Sequence, residues 1–223
     1  MNLRTYVCIA ASVAAVGHSR IARAQSGESY TESFVLVAGA SDTADVERFT
    51  RKGPNIAGEL VNRGSGLRAN YTMTVNDSGL VPHLSLAVHA VGDSPLAAPK
   101  QAATFTFGRD SATVEVVGGP TQRIATPAGA IPWLNPSFVI AEQIVRRARV
   151  LDPKKKAVGL IPLVNLSGGG ILSATVNWVG ADSAVVSVGG VDIRLGLDAS
   201  GRVVGARVPA QNVTVVRSGK PGP

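Results

Sequence analysis

The densest set of chemistry-bearing side chains is basic. Arg146, Arg147, Arg149, Lys154, Lys155 and Lys156 fall within eleven residues, opposed there only by Asp152. Cations at a helix C-terminus complement the macrodipole for roughly 0.3–1 kcal/mol each, which accounts for about two of the six. The surplus points to an anionic contact, such as lipid headgroups, lipopolysaccharide phosphates or an acidic partner, weighed against a merely solvated basic face. Histidine offers less. Beyond His18 there are only His83 and His89, six residues apart on one predicted strand and so roughly 20 Å apart at about 3.3 Å per residue. They cannot share a metal and read as polar positions on a solvent face. With Cys8 the single cysteine and no HExxH sequence, no metal ligand set is expected. Asp45 with Glu47, and Asp192 with Asp198, read as acids on wet strand faces rather than as a glycosidase pair.

Gly92-Asp93-Ser94-Pro95-Leu96 resembles the nucleophile block of the Gly-Asp-Ser-Leu esterases. That family places its serine near the mature N-terminus and its histidine near the C-terminus. Here no histidine follows His89, so Ser94 lacks its base and the segment reads as a turn. Ser167-Gly168-Gly169-Gly170 lacks the Lys and Ser/Thr of a phosphate-binding loop and opens no helical pattern, which makes it a hairpin loop. No catalytic residue and no cofactor are expected. Aromatic residues are 4% of the chain, too few for stacked nucleic-acid recognition.

The compartment is read from the start of the chain. Arg4 precedes an apolar stretch from Val7 to Val16, and Ala22-Arg23-Ala24 has the small-x-small form of a signal-peptidase site. The stretch is well short of the roughly 20 residues of a spanning helix. Residues 1–24 are therefore expected to be a signal peptide and 25–223 a single β-rich domain, periplasmic or secreted from a bacterium, with no transmembrane segment in the mature form. The formal charge of +7 falls to +4 once Arg4, Arg20 and Arg23 leave, and the mature chain has no thiol for a disulfide.

Strands must position whatever site exists. Leu67, Ala69, Tyr71, Met73 and Val75 alternate with polar residues, Asn76-Asp77-Ser78-Gly79 turns the chain, and Leu84, Leu86, Val88 and Ala90 resume the alternation. Val191 to Leu197, Asp198-Ala199-Ser200-Gly201 and Arg202 to Val208 repeat the arrangement, through either duplication or independent use of a favoured turn. Further strands are predicted at Ser33 to Ala38, Val46 to Thr50, Ile56 to Val61, Ala102 to Phe107, Ala112 to Val117, Val158 to Leu163, Leu172 to Val179, Ala184 to Val188 and Val213 to Arg217. The fold class is all-β, mainly an antiparallel meander forming a half-barrel or barrel, with one α-helix around 136–150. Asn135 is the expected cap and Pro136 the first helical residue; Phe138, Ala141, Ile144, Val145, Ala148 and Leu151 recur at helical spacing. Pro127 to Leu134 contains two prolines and cannot be a central strand. It reads as a plug or lid that carries the helix across an open sheet end.

The order of leader, antiparallel strands and helix, with the turn Ser78-Gly79-Leu80-Val81-Pro82 entering a strand, resembles the curved half-barrels of periplasmic lipoprotein-carrier proteins and related exported domains. That resemblance implies a concave apolar sheet holding acyl chains under the helix. The expected function is non-enzymatic binding of an apolar or amphipathic ligand. Trp133, Leu134 and Phe138 would stand near the cavity mouth, with Arg146, Arg147 and Arg149 on an anionic headgroup. The partner is then a lipid or other anionic amphiphile. An envelope protein met by an interaction module, or an accessory domain related to a hydrolase, are the alternatives.

Overall fold

The computed structural model describes residues 29–39, 42–94, 96–155 and 158–219. The predicted leader and Lys156 lie outside the described residues. Alternation produces strands β1 (Ser29–Ala38), β2 (Asp42–Lys52), β3 (Asn55–Asn62), β4 (Leu67–Thr74), β5 (His83–Ala90), β6 (Gln101–Phe107), β7 (Ser111–Val116) and β8 (Thr121–Ala125). Short β9 (Ile131–Trp133) and helix α1 (Phe138–Leu151) follow. The chain then runs through β10 (Val158–Asn165), β11 (Ile171–Trp178), β12 (Ser183–Val188), β13 (Val191–Leu197), β14 (Val203–Val208) and β15 (Val213–Ser218). Among the described residues they form one sheet ordered β8 to β1, then β15 down to β9. Two meanders therefore join where β1 pairs with β15, and the all-β expectation holds.

The sheet curls into a barrel-like wall. Its edge strands β8 and β9 are not neighbours in the hydrogen-bonded order, yet Ala112, Phe107 and Ile124 from one side pack with Ala130 and Val164 from the other. One pairing departs from the antiparallel expectation, because β9 runs parallel to β10. The helix between them returns the chain to its starting end, as a parallel connection requires. Pro132 is tolerated because β9 is an edge strand. Strand β8 was not foreseen, since Thr121–Ala125 holds only Ile124 and Ala125 as apolar residues.

The helix does not cross an open sheet end. Phe138 to Val145 are all buried, as is Ala148, so α1 is inserted into the barrel interior and only its last turn reaches solvent. Its cap is Ser137, whose Oγ accepts from the Ile140 amide at 3.2 Å; Asn135 and Pro136, joined by a cis peptide, lie ahead of it. The two sequence-related turns grip the helix from opposite meanders. In each, the first residue's amide donates to the fifth residue's carbonyl and the fourth residue is a glycine at positive φ. The first side chain accepts the fifth residue's amide, at 2.9 Å for Asn76 and 2.9 Å for Asp198. No described helix is long and apolar enough to cross a membrane.

Candidate functional site

The interior face of β2 is the part that alternation misassigned. Asp45, Glu47, Phe49 and Arg51 are buried on one face, in register with Leu36, Phe34, Glu32 and Tyr30 of β1. Asp45 and Glu47, read as wet, are thus inside, whereas Asp192 is exposed as expected. Glu47, with no exposed surface, accepts from Ser137 Oγ at 2.6 Å, Tyr71 Oη at 2.8 Å, and the amides of Phe138 at 2.7 Å and Val139 at 3.2 Å. Two of those amides are donors that a helix N-terminus leaves unpaired, so Glu47 seats the helix on the sheet. Tyr71 reaches it across Gly58, where any Cβ would collide with the phenol. Burial pushes the Glu47 carboxyl above its usual 4.5, and the four donors restore it only in part. Tyr71, buried beside that carboxylate, is held well above 10.

A second polar anchor lies further along the helix. Arg217 donates from Nη1 to Glu142 at 2.9 Å and to the Val203 carbonyl at 2.6 Å, and from Nε to Glu32 at 2.6 Å. Its guanidinium also lies within 6 Å of the Tyr30, Phe34 and Phe49 rings. Glu142 meets Arg146 at 3.6 Å as well, the i,i+4 pair legible in the sequence.

Beyond the buried helix N-terminus, at the end of the barrel the helix does not fill, are two cavities. One, of about 280 Å³, faces the C-terminal meander and is lined by Leu36, Trp133, Phe138, Ala141, Val191 and Ile193 among others. The second, of about 380 Å³, faces the N-terminal meander and is lined by Leu60, Ala69, Leu86, Val88, Phe105 and Leu134 among others. Segment 133–136 divides them. Asp45, Ser137 and Gln211 also line the first; Ser65, Gln101 and Ser167 line the second; Asn62 and Asn135 line both. Burial raises the Asp45 carboxyl, against the Arg63 amide and charge beside it.

The structure therefore places Trp133 and Phe138 in the wall of the first cavity and Leu134 in that of the second, all three buried. It does not bring Arg146, Arg147 or Arg149 there. Arg146 is taken up by Glu142, and the Arg147 guanidinium lies against Gly129, where a Cβ would come within 3.0 Å. Arg149 lies 5.5 Å and Lys155 5.4 Å from the Trp178 ring, and Lys155 also donates to the Ala181 carbonyl at 2.8 Å. These cations lie toward the opposite end of α1, where they fasten turns to the helix. His89 is likewise not on a solvent face: it is 5% exposed, opposite Arg68 on β4, whereas His83 is exposed. Gly92 lies in the turn after β5, where Asp93 Oδ2 accepts from the Ala90 amide at 2.8 Å, and Ser167–Gly170 lies in the turn between β10 and β11; Pro95 lies outside the described residues. Asp45, Asn62 and Asn135 were missed as site residues. The available signal was parity, since Phe49 shares its strand face with both acids.

No family matches the chain, and no curated protein does. Two solved structures are similar. A DUF1089-family protein from Pseudomonas aeruginosa superposes with a TM-score of 0.56 at 12% identity, over 77% of this chain and 92% of that one. A β-barrel-like protein of the domain of unknown function DUF1849 from Brucella abortus gives 0.49 at 8% identity, over 86% and 96%. The first likeness is one of fold alone.

Proposed function

We propose that this is an exported, non-enzymatic protein of the bacterial periplasm or exterior that binds an amphipathic molecule by its apolar part. The observation that carries the reading is the two-lobed apolar cleft at the helix-free end, with Trp133, Leu134 and Phe138 in its walls. Small-molecule sites are typically concave and mostly apolar, with a few polar groups to fix orientation. The resemblance to lipoprotein carriers supports the same use of a concave sheet. Non-enzymatic binding is favoured because the Phe138 and Val139 amides are engaged by Glu47 and so are not free as oxyanion donors, and no histidine lines either lobe. An anionic headgroup held by the arginine cluster is not carried forward, since those side chains are engaged away from the cleft.

Of the two tryptophans, Trp133 lines the cleft and Trp178 does not. In a Trp178→Phe variant, titration with a long-chain monoacylglycerol should shift Trp133 emission, and native mass spectrometry of protein purified without detergent should show retained ligand. No retained mass together with an unchanged emission spectrum would overturn the reading. A second reading, docking onto an envelope protein, draws on Val91, Leu96 and Val117, which stand 47%, 96% and 78% exposed in turns near the cleft mouth.

A further inference from the structure

We infer that the cleft seats a single two-chain amphiphile astride segment 133–136, with one chain in each lobe and the point where the chains join held between Asn62 and Asn135. This rests on the binding function proposed above and goes beyond it by fixing the ligand's form. The N-terminal lobe is walled mainly by β3 to β6 and the C-terminal lobe mainly by β11 to β15, with Leu36, Ala44, Asp45 and Asn62 closing the latter from the N-terminal meander. The divider serves both. Consecutive residues of an extended chain point to opposite sides, and here Trp133 faces the C-terminal lobe while Leu134 faces the N-terminal one. At about 280 and 380 Å³, each lobe lies near the floor of the roughly 300–1,000 Å³ usual for ligand pockets. That suits one chain apiece.

Only the chemistry at the junction remains to be matched. Asn62 and Asn135 are the residues common to both linings, and each amide offers donors and an acceptor. Such groups suit ester, amide or hydroxyl functions. Among the residues lining the two lobes no side chain is basic and Asp45 is acidic; Arg63, beside Asp45, is exposed and lines neither lobe. Asn135 is exposed and Asn62 half-buried, so the junction borders solvent, and with no basic side chain in either lining a phosphate or carboxylate there would gain no ion pair to hold it. The occupant is therefore uncharged where its chains meet.

The test uses the full chain and three probes of equal chain length: a monoacylglycerol, a diacylglycerol and a phosphatidic acid. Native mass spectrometry should find two monoacylglycerols bound at saturation, both displaced by one diacylglycerol. Phosphatidic acid should bind at least about tenfold more weakly than diacylglycerol. Val191→Phe, which fills the C-terminal lobe, and Ala69→Phe, which fills the N-terminal lobe, should each weaken diacylglycerol by about tenfold or more, the loss of one chain's burial, while leaving one monoacylglycerol bound. A diacylglycerol that displaces only one monoacylglycerol, or that binds unchanged when either lobe is filled, overturns the two-chain assignment. Phosphatidic acid binding as well as diacylglycerol overturns the uncharged junction. If no probe binds, the binding function itself fails. Should either variant not fold, the displacement count in the unaltered protein still decides.

Discussion

The two meanders hold the same helix by different physics. The C-terminal one lies directly against it: β9, β10, β11, β12 and β14 all pack on α1, around the fully buried Ile144, Val145 and Ala148. The N-terminal one reaches it at fewer and more specific places, namely Glu47 at the helix start, the Phe34–Phe138 ring contact at 5.7 Å, Glu32 through Arg217, and the Gly79 turn. Apolar packing is non-directional and scales with area, so it closes the space between helix and sheet. Directed polar anchors fix position without filling volume. That is why β3 to β6 can stand away from the helix and leave the N-terminal lobe open.

The largest test of this contrast is Arg217→Ala, which severs the polar link from β1 to α1, leaves Glu32 buried without this cation and leaves Glu142 with only Arg146 and the Val203 amide. Breaking a buried ion pair in this way costs about 3–5 kcal/mol, or a Tm lower by roughly 10 °C. A loss below about 1 kcal/mol in urea melts would mean that the N-terminal meander does not depend on this anchor.

The paired turns give a sharper and smaller comparison. Both glycines have positive φ, 76° at Gly79 and 86° at Gly201, so alanine should cost about 1–2 kcal/mol at either. A Cβ at Gly79 would also lie 2.6 Å from the Gln143 carbonyl and the Arg147 amide, which are helix backbone. At Gly201 it would meet only the end of the Arg149 side chain, which can swing away. Gly79→Ala should therefore be the more destabilising by about 1–3 kcal/mol. Equal losses would show that the N-terminal turn is not wedged against the helix.

The smallest effect is in pH dependence. The Glu47 carboxyl lies above 4.5 in the folded chain, so its protonated form is favoured on folding. The stability this contributes is complete below about pH 4.5 and is lost as pH rises through the folded value. Glu47→Gln cannot ionise. The Tm difference, wild type minus variant, should fall as pH rises above about 4.5; a difference that rises instead would mean that the four hydrogen bonds outweigh burial.

Much of the wall was legible because period two is a local property. Leu67 to Thr74, His83 to Ala90 and Val191 to Leu197 alternate clearly, and their Asx-Gly turns have the hydrogen bonds such sequences favour. Helical spacing located α1, although its start moved from Asn135–Pro136 to Ser137–Phe138 because Ser137 both caps the helix and binds Glu47. Thr121–Ala125 was illegible, since a short edge strand with a mostly polar sequence gains its identity from its neighbour β7. The arginine cluster misled for a related reason: nothing near Arg147 or Arg149 in sequence announces Gly129 or Trp178.

By itself the sequence determined where the chain extends, turns and coils, because propensity, alternation and turn chemistry act within a few residues. It did not determine which face of β2 lies inside, that the helix fills the barrel instead of covering it, or that a divided cleft remains. Those depend on partners far along the chain: Glu47 meets Ser137 across 90 positions and Arg217 meets Glu32 across 185. Alternation says that a strand has two faces. Only the curled sheet, by choosing which face is removed from water, makes Asp45 and Glu47 interior acids and sets Trp133 between two lobes.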